Sequence, residues 1–238
     1  MSLQIADQMA VSLARLLQNG ETVFHGVASP LPMVAVLLAK KLHAPDLVYL
    51  NITGSVDPQP ERLPESTVDP VLLNGTAGFF ELQDVFDLAA RGRLDTAFLS
   101  GIQIDRRGCI NMSAVGPYEK PKVRLPGGAG SAFLMETARR VILWRTKHDP
   151  RTFVEQVSFV TACGRVDRVV TPLAVFRLGV EGLGVESIHP YADPATVRRE
   201  TGFAVEVDES TPVTPAPTEG ELAALAAVDP EKVRLFEF

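Results

Sequence analysis

Cysteine is scarce in this chain, with only Cys109 and Cys163 among 238 residues. Their spacing fits no metal-ligand pattern, and a chain of this length can bury a core without cystine support. The expectation is therefore two unpaired thiols. Cys109 reads as inert in a turn with no base nearby, and Cys163 as a small apolar residue beside Gly164. No metal site is expected. Positive charge is also short: 23 Lys and Arg stand against 29 Asp and Glu, a net charge of −6. That balance gives no basic footprint for nucleic acid and no electrostatic attraction to anionic membranes. Long hydrophobic runs are missing too. Met33–Ala39 is among the longest and is far too short to span a bilayer. The stretch Met1–Gln8 has neither a basic segment nor an apolar one, so no secretory leader is expected and a cytoplasmic, reduced setting fits.

What is present describes a globular protein, with 46% apolar and 22% charged residues. No linker divides the chain, so residues 1–238 read as a single domain. Residues 2–18 carry apolar side chains at helical spacing (Leu3, Ala6, Met9, Ala10, Leu13, Leu16, Leu17) and stop at Asn19-Gly20. Strands are expected at Glu21–His25, Leu47–Leu50, Thr96–Leu99, Val141–Trp144 and Val157–Val160. Helices are expected at Met33–Lys41, Glu81–Ala90, Phe133–Arg139, Thr196–Thr201 and Glu219–Val228. Thr171–Leu178 and the turn at Val180–Gly184 suggest an antiparallel pair near a sheet edge. The expected class is α/β: an open, mostly parallel sheet with helices on both faces and antiparallel strands at the edge. Ligands of such sheets bind at the carboxyl ends of the strands, here the loops after His25, Leu50 and Leu99.

The densest glycine stretch is Gly127-Gly128-Ala129-Gly130-Ser131. Glycines let backbone N–H groups approach and converge on an anion or a developing oxyanion. A tight connection between packed elements would look the same. His25 ends a strand at the expected active edge. It either serves a substrate as donor, acid or base, or is a hydrogen-bonded strand-end histidine, and the second reading is preferred. His43 and His189 read as turn residues. Lys122 and Arg124 are either phosphate partners or solvated charges, and Arg106-Arg107 reads as an exposed turn.

The order of motifs resembles the β subunit of class I coenzyme A-transferases, the glutaconate type especially. The matching pieces are Gly26-Val27-Ala28-Ser29-Pro30-Leu31, Ala44-Pro45-Asp46, Thr53-Gly54 and Gln103-Ile104-Asp105-x-x-Gly108-x-x-Asn111. Gly116-x-Tyr118-x-x-Pro121-Lys122 and Gly127-Gly128-Ala129 follow, and the similarity reaches Val228-Asp229-Pro230. The resemblance implies an open α/β fold, an obligate α-type partner subunit and an active site at the subunit interface. It implies an acyl-CoA substrate, with coenzyme A as part of the substrate and no tightly bound cofactor. It gives Gly128 and Ala129 the thioester and its oxyanion. Gly26, Val27, Ala28, Ser29, Asn51, Thr53, Gly54, Gln103, Asn111, Gly127 and Gly130 become candidates for binding substrate or coenzyme A.

The chain departs from the family at one point. A glutamate that attacks the thioester is expected where Ile52 stands, and isoleucine has no nucleophilic atom. Asn51 and Thr53 offer no carboxylate, and Asp57 would have to swing back. Non-transferase branches of the superfamily resemble glutaconyl-type CoA decarboxylases or CoA-dependent ring hydrolases. The decarboxylase branch, which also lacks the glutamate, is closest. Cofactor-free decarboxylation of a small dicarboxylyl-CoA is the expectation. The alternatives are a transferase with its carboxylate from elsewhere, a hydrolase, and a non-catalytic interaction subunit.

Overall fold

A computed structural model describes residues 2–238, with the side chains of Ser2 and Leu3 left aside, so Leu3's expected place on the first helix lies outside the described residues. The chain divides into two compact units: residues up to Phe98 together with Ala216–Phe238, and Leu99–Pro215.

In the first unit, α1 (Ser2–Arg15) buries Ala6, Met9, Ala10, Leu13 and Ala14 on one stripe. Strand β1 (Thr22–His25) leads to α2 (Pro30–Leu42), which starts three residues before the expected Met33. Pro30 and Pro32 occupy its first turn, where a missing N–H costs nothing. Then come β2 (Val48–Asn51), β3 (Ser55–Val56), β4 (Gly78–Phe79), α3 (Leu82–Ala90) and β5 (Thr96–Leu99). Their order in the sheet is β5-β1-β2-β3-β4. The pairs β1–β5 and β1–β2 are parallel, whereas β3 and β4 are antiparallel additions. Successive strand residues point to opposite faces, yet Val23, Phe24 and His25 are all buried, as are Thr96 to Leu99. Both faces are therefore covered, as expected for a parallel core.

The tail closes this unit. Arg15 makes a two-pronged ion pair with Glu221 of the helix Glu219–Val228, at 2.7 and 2.6 Å. The Arg15 bonds hold the Glu221 carboxyl down to about 2. Buried Arg234 bonds Asp7 of α1 at 2.6 Å and buried Asp229 at 2.8 Å.

The second unit holds β6 (Gln103–Asp105), β7 (Ile110–Asn111), β8 (Ala114–Val115), β9 (Val123–Arg124), α4 (Ser131–Thr137), β10 (Arg140–Trp144), β11 (Phe153–Val154), β12 (Val166–Val170), β13 (Ala174–Gly179), β14 (Gly182–Ile188) and α5 (Pro194–Glu200). Strands β10 and β12 pair in parallel, and β12, β13 and β14 continue antiparallel to the edge. A small sheet runs β11-β6-β7, and β8 and β9 form a short ribbon. The mixed α/β class, with parallel cores and antiparallel edges, agrees with the sequence.

Two strand expectations need correction. Val157–Val160 is not a strand. Val157 N–H and Ser158 N–H donate to the side chains of Asp105 and Gln103, at 3.4 and 3.1 Å, not to a neighbouring strand. Conversely, β12 hides its strand character behind Asp167 and Arg168, whose guanidinium is taken up by Glu186 on β14. The two cysteines also differ from expectation, because Cys109 and Cys163 form a disulfide. They are 54 positions apart, but Ile110 bridges Ala162 and brings the two Cα atoms within 4.3 Å. Linear spacing carried no sign of that pairing. No helix among the described residues is long and apolar enough to cross a membrane.

Candidate functional site

In the first unit, the parallel register pairs Phe24 with Leu50 and His25 with Phe98, so three strands end at one edge. That edge carries both Gly26–Ser29 and Asn51–Gly54. Residues 51–54 form a tight turn closed by Gly54 N–H donating to Asn51 O at 2.9 Å. Gly54 has φ +93°, and a Cβ there would lie 2.6 Å from the Phe80 carbonyl oxygen, so only glycine fits. Ile52 is the second residue of this turn and is half-buried.

A directed hydrogen-bond chain lies beneath the turn. His25 Nδ1–H donates to Gly26 O at 2.9 Å, which leaves Nε2 to accept from the Tyr49 hydroxyl at 2.5 Å. Asn51 Nδ2–H donates to Tyr49 Oη at 2.6 Å. Asn51 Oδ1 accepts from both the N–H and the hydroxyl of Thr53, at 2.9 and 2.7 Å. The Ser55 hydroxyl completes the chain on Thr53 Oγ1 at 3.0 Å. His25, Tyr49, Asn51 and Ser55 are fully buried. Burial pulls His25 down to about 4, against a smaller upward pull from its Gly26 bond. Burial pushes Tyr49 up, partly offset by Asn51. Both groups are therefore neutral near pH 7. His25 is the hydrogen-bonded strand-end histidine of the preferred sequence reading, and Tyr49 is the member that reading missed.

Ser29 turns inward, its hydroxyl on Val27 O at 3.1 Å and its carbonyl capped by Met33 N–H. Val27 and Ala28 are exposed, and Ala28 has φ +49°. Asp57 is held by Lys40 Nζ at 2.7 Å and by Tyr49 N–H at 2.9 Å, which leaves it no freedom to replace the missing glutamate.

In the second unit, Gln103 and Asn111 face each other across β6–β7. Asn111 Nδ2 donates to Gln103 Oε1 and to Ala114 O, both at 2.7 Å, while its Oδ1 accepts the Ser113 and Ala114 N–H groups. Both amides are buried and shape the loop. Gly127 has φ +95°, and its N–H is spent on Met112 O at 2.7 Å. The next three N–H groups, of Gly128, Ala129 and Gly130, donate to no protein acceptor among the described residues. Ala129 is left-handed at φ +44° and Gly130 right-handed at φ −76°, the alternation that turns successive N–H groups toward one point. A Cβ on Gly128 would lie 2.5 Å from Thr161 Cγ2. Thr161 is in turn fixed through its hydroxyl by Met112 N–H at 2.8 Å and Ser113 at 2.7 Å. Thr161 thus supports the loop, a role with no sequence signal.

Arg124 lies over the Tyr118 ring, 4.7 Å from its centroid, and Tyr118 stacks on Phe159. Lys122 is exposed. His43 bonds Leu17 O and His189 bonds Thr171 O, structural roles that match their turn assignments.

The geometry describes an α/β subunit with a glycine loop of unpaired amides and a strand-end turn lacking a carboxylate. Residues 6–198 match the Coenzyme A transferase family, and the chain belongs to it, on the side of its B-type subunits. It is 33% identical to the B-type subunit of the 3-oxoadipate CoA-transferase of Pseudomonas knackmussii, over 94% of this chain and 92% of that protein. It is 25% identical to the B-type subunit of the glutaconate CoA-transferase of Acidaminococcus fermentans, over 86% and 84%. Among solved structures, the decarboxylase AibA/AibB superposes with a TM-score of 0.92 at 38% identity, covering 97% of this chain and 96% of that one.

Proposed function

We propose that this chain is the B-type half of a heteromeric acyl-CoA enzyme and removes CO2 from a glutaconyl-type CoA thioester without a covalent intermediate. Ile52 carries the reading: the position from which the transferase nucleophile would act holds a hydrocarbon. Covalent exchange through it is impossible. An apolar neighbour instead favours a carboxylate that sheds its localised charge.

The electrons balance without a tightly bound cofactor. Cleavage of the bond between the distal carboxylate and its methylene carbon releases CO2. The electron pair runs through the conjugated double bond to the thioester carbonyl, giving a dienolate. The N–H groups of Gly128, Ala129 and Gly130 receive that oxyanion. A proton then adds to carbon, supplied by the α-type partner subunit or by water. Coenzyme A enters and leaves as part of the substrate. Similarity to the decarboxylase AibA/AibB supports this reading.

The 33% identity to a 3-oxoadipate CoA-transferase favours a second reading, transfer through a carboxylate on the partner. Turnover of glutaconyl-CoA by the assembled complex separates the two. Release of CO2 with no mass change on either subunit is expected. A hydroxylamine-sensitive CoA adduct together with acyl exchange would overturn the decarboxylase reading.

A further inference from the structure

The segment 161–165 is a platform for the glycine loop and for the helix that follows it. At one end Thr161 meets Gly128, where an added Cβ would approach within 2.5 Å. At the other end Gly164 lies so close to the α4 backbone that a Cβ added there would fall 2.0 Å from Met135 O. Arg165 N–H donates to that same carbonyl at 2.7 Å. Loop and helix therefore rest on one five-residue strip.

Two kinds of link hold the strip to the β6–β7 hairpin. Backbone bonds join Ile110 to Thr161 and Ala162, at 2.9 and 2.8 Å. The Cys109–Cys163 disulfide lies beside them. Cys109 is buried, with its N–H on the carboxylate of Asp105 at 3.0 Å. Cys163 is only half-buried, which makes it the less enclosed end of the pair and the end for an incoming thiolate to attack.

We infer that the Cys109–Cys163 pair is a reversible thiol-exchange site whose redox state sets the rigidity of the Gly128–Gly130 amides. Its partner by class is a small or protein-borne dithiol. The dithiol's thiolate attacks Cys163 sulfur, the disulfide breaks, and Cys109 leaves as a thiolate that takes up a proton. The second thiol of the reductant resolves the mixed disulfide, releasing Cys163 as a thiol and the reductant as its own disulfide. Two electrons and two protons pass to the chain. The oxidised pair fixes the strip, and so the loop. The reduced pair leaves it on hydrogen bonds alone, those of its backbone and of the Thr161 hydroxyl. The effect on turnover rests on the oxyanion role proposed above; the clamp itself does not.

The test uses the assembled complex and dithiothreitol, with hydrogen exchange, alkylation mapping and turnover read on the same samples. Expected are a Cys109–Cys163 linked peptide before reduction and alkylation of both cysteines after it. Exchange over residues 127–135 and 161–166 should rise by about fivefold or more, with residues 22–56 unchanged. Reoxidation should reverse the change, and Cys163→Ser without reductant should reproduce it. Should that variant not fold, the reduction cycle of the unmodified protein decides alone. Identical exchange in both redox states, or cysteines that resist reduction in the folded complex, would overturn the clamp. A looser loop with unchanged turnover would overturn its control of the site. No turnover of glutaconyl-CoA in either state would reject the decarboxylase reading, while the exchange data would still judge the clamp.

Discussion

A branched alkyl group at Ile52 cannot attack a thioester, but it can make the surroundings of an acyl carboxylate less polar. Restoring a carboxylate tests which property matters. In Ile52→Glu, CO2 release should fall by about tenfold or more, since a second negative charge opposes the substrate's own. A CoA adduct on this chain, visible by intact mass, should appear in its place. Gly128 has a narrower requirement. Gly128→Ala should lower kcat by about tenfold or more by pushing the loop off Thr161 and misaligning its donors. Thr161→Ser deletes the Cγ2 that the new methyl would strike while keeping the hydroxyl on Met112 and Ser113. The double variant should recover most of the loss, and a double-mutant cycle on kcat measures that coupling.

The β2–β3 hairpin is held by its turn, and Gly54 is its tightest point. Gly54→Ala combines a left-handed φ with a collision against Phe80 O, so a loss of about 1–3 kcal/mol is expected in urea unfolding. At this scale the sequence was largely legible. Apolar runs at Ala97–Leu99 and Val141–Trp144 announced buried strands, and apolar residues at helical spacing announced α1. Charged Asp167 and Arg168 masked β12, because their partner Glu186 lies on another strand. Val157–Val160 had strand composition but no strand to pair with. Ile52 and the glycine loop could be read from motifs. Tyr49, Thr161 and the cystine could not, since each acts through contacts between residues distant in the chain.

Across the whole molecule, buried neutral histidines set the response to acid. Burial holds His25 and His189 at about 4, and His148 at about 3. Unfolding returns each toward 6.5, so between pH 6.5 and about 4 the unfolded chain binds more protons than the folded one. Their stabilising share is complete above pH 6.5 and drains as pH falls. At pH 5 each fully buried site should cost on the order of 1–2 kcal/mol. Urea midpoints measured at pH 7.5 and pH 5 should show the drop, and a flat profile would mean these rings reach solvent. Each of the two units holds at least one such ring.

The ion pairs that tie α1 to Glu221 and Arg234 also bear on how the protein is made. The helix α1 leaves the ribosome long before residues 216–238, which complete its surroundings. Residues 99–215 emerge between them and can finish folding first. The apolar stripe of Ala6, Met9, Ala10 and Leu13 can settle on α2 early, but Asp7 and Arg15 stay without their ionic partners until residues 216–238 have been translated.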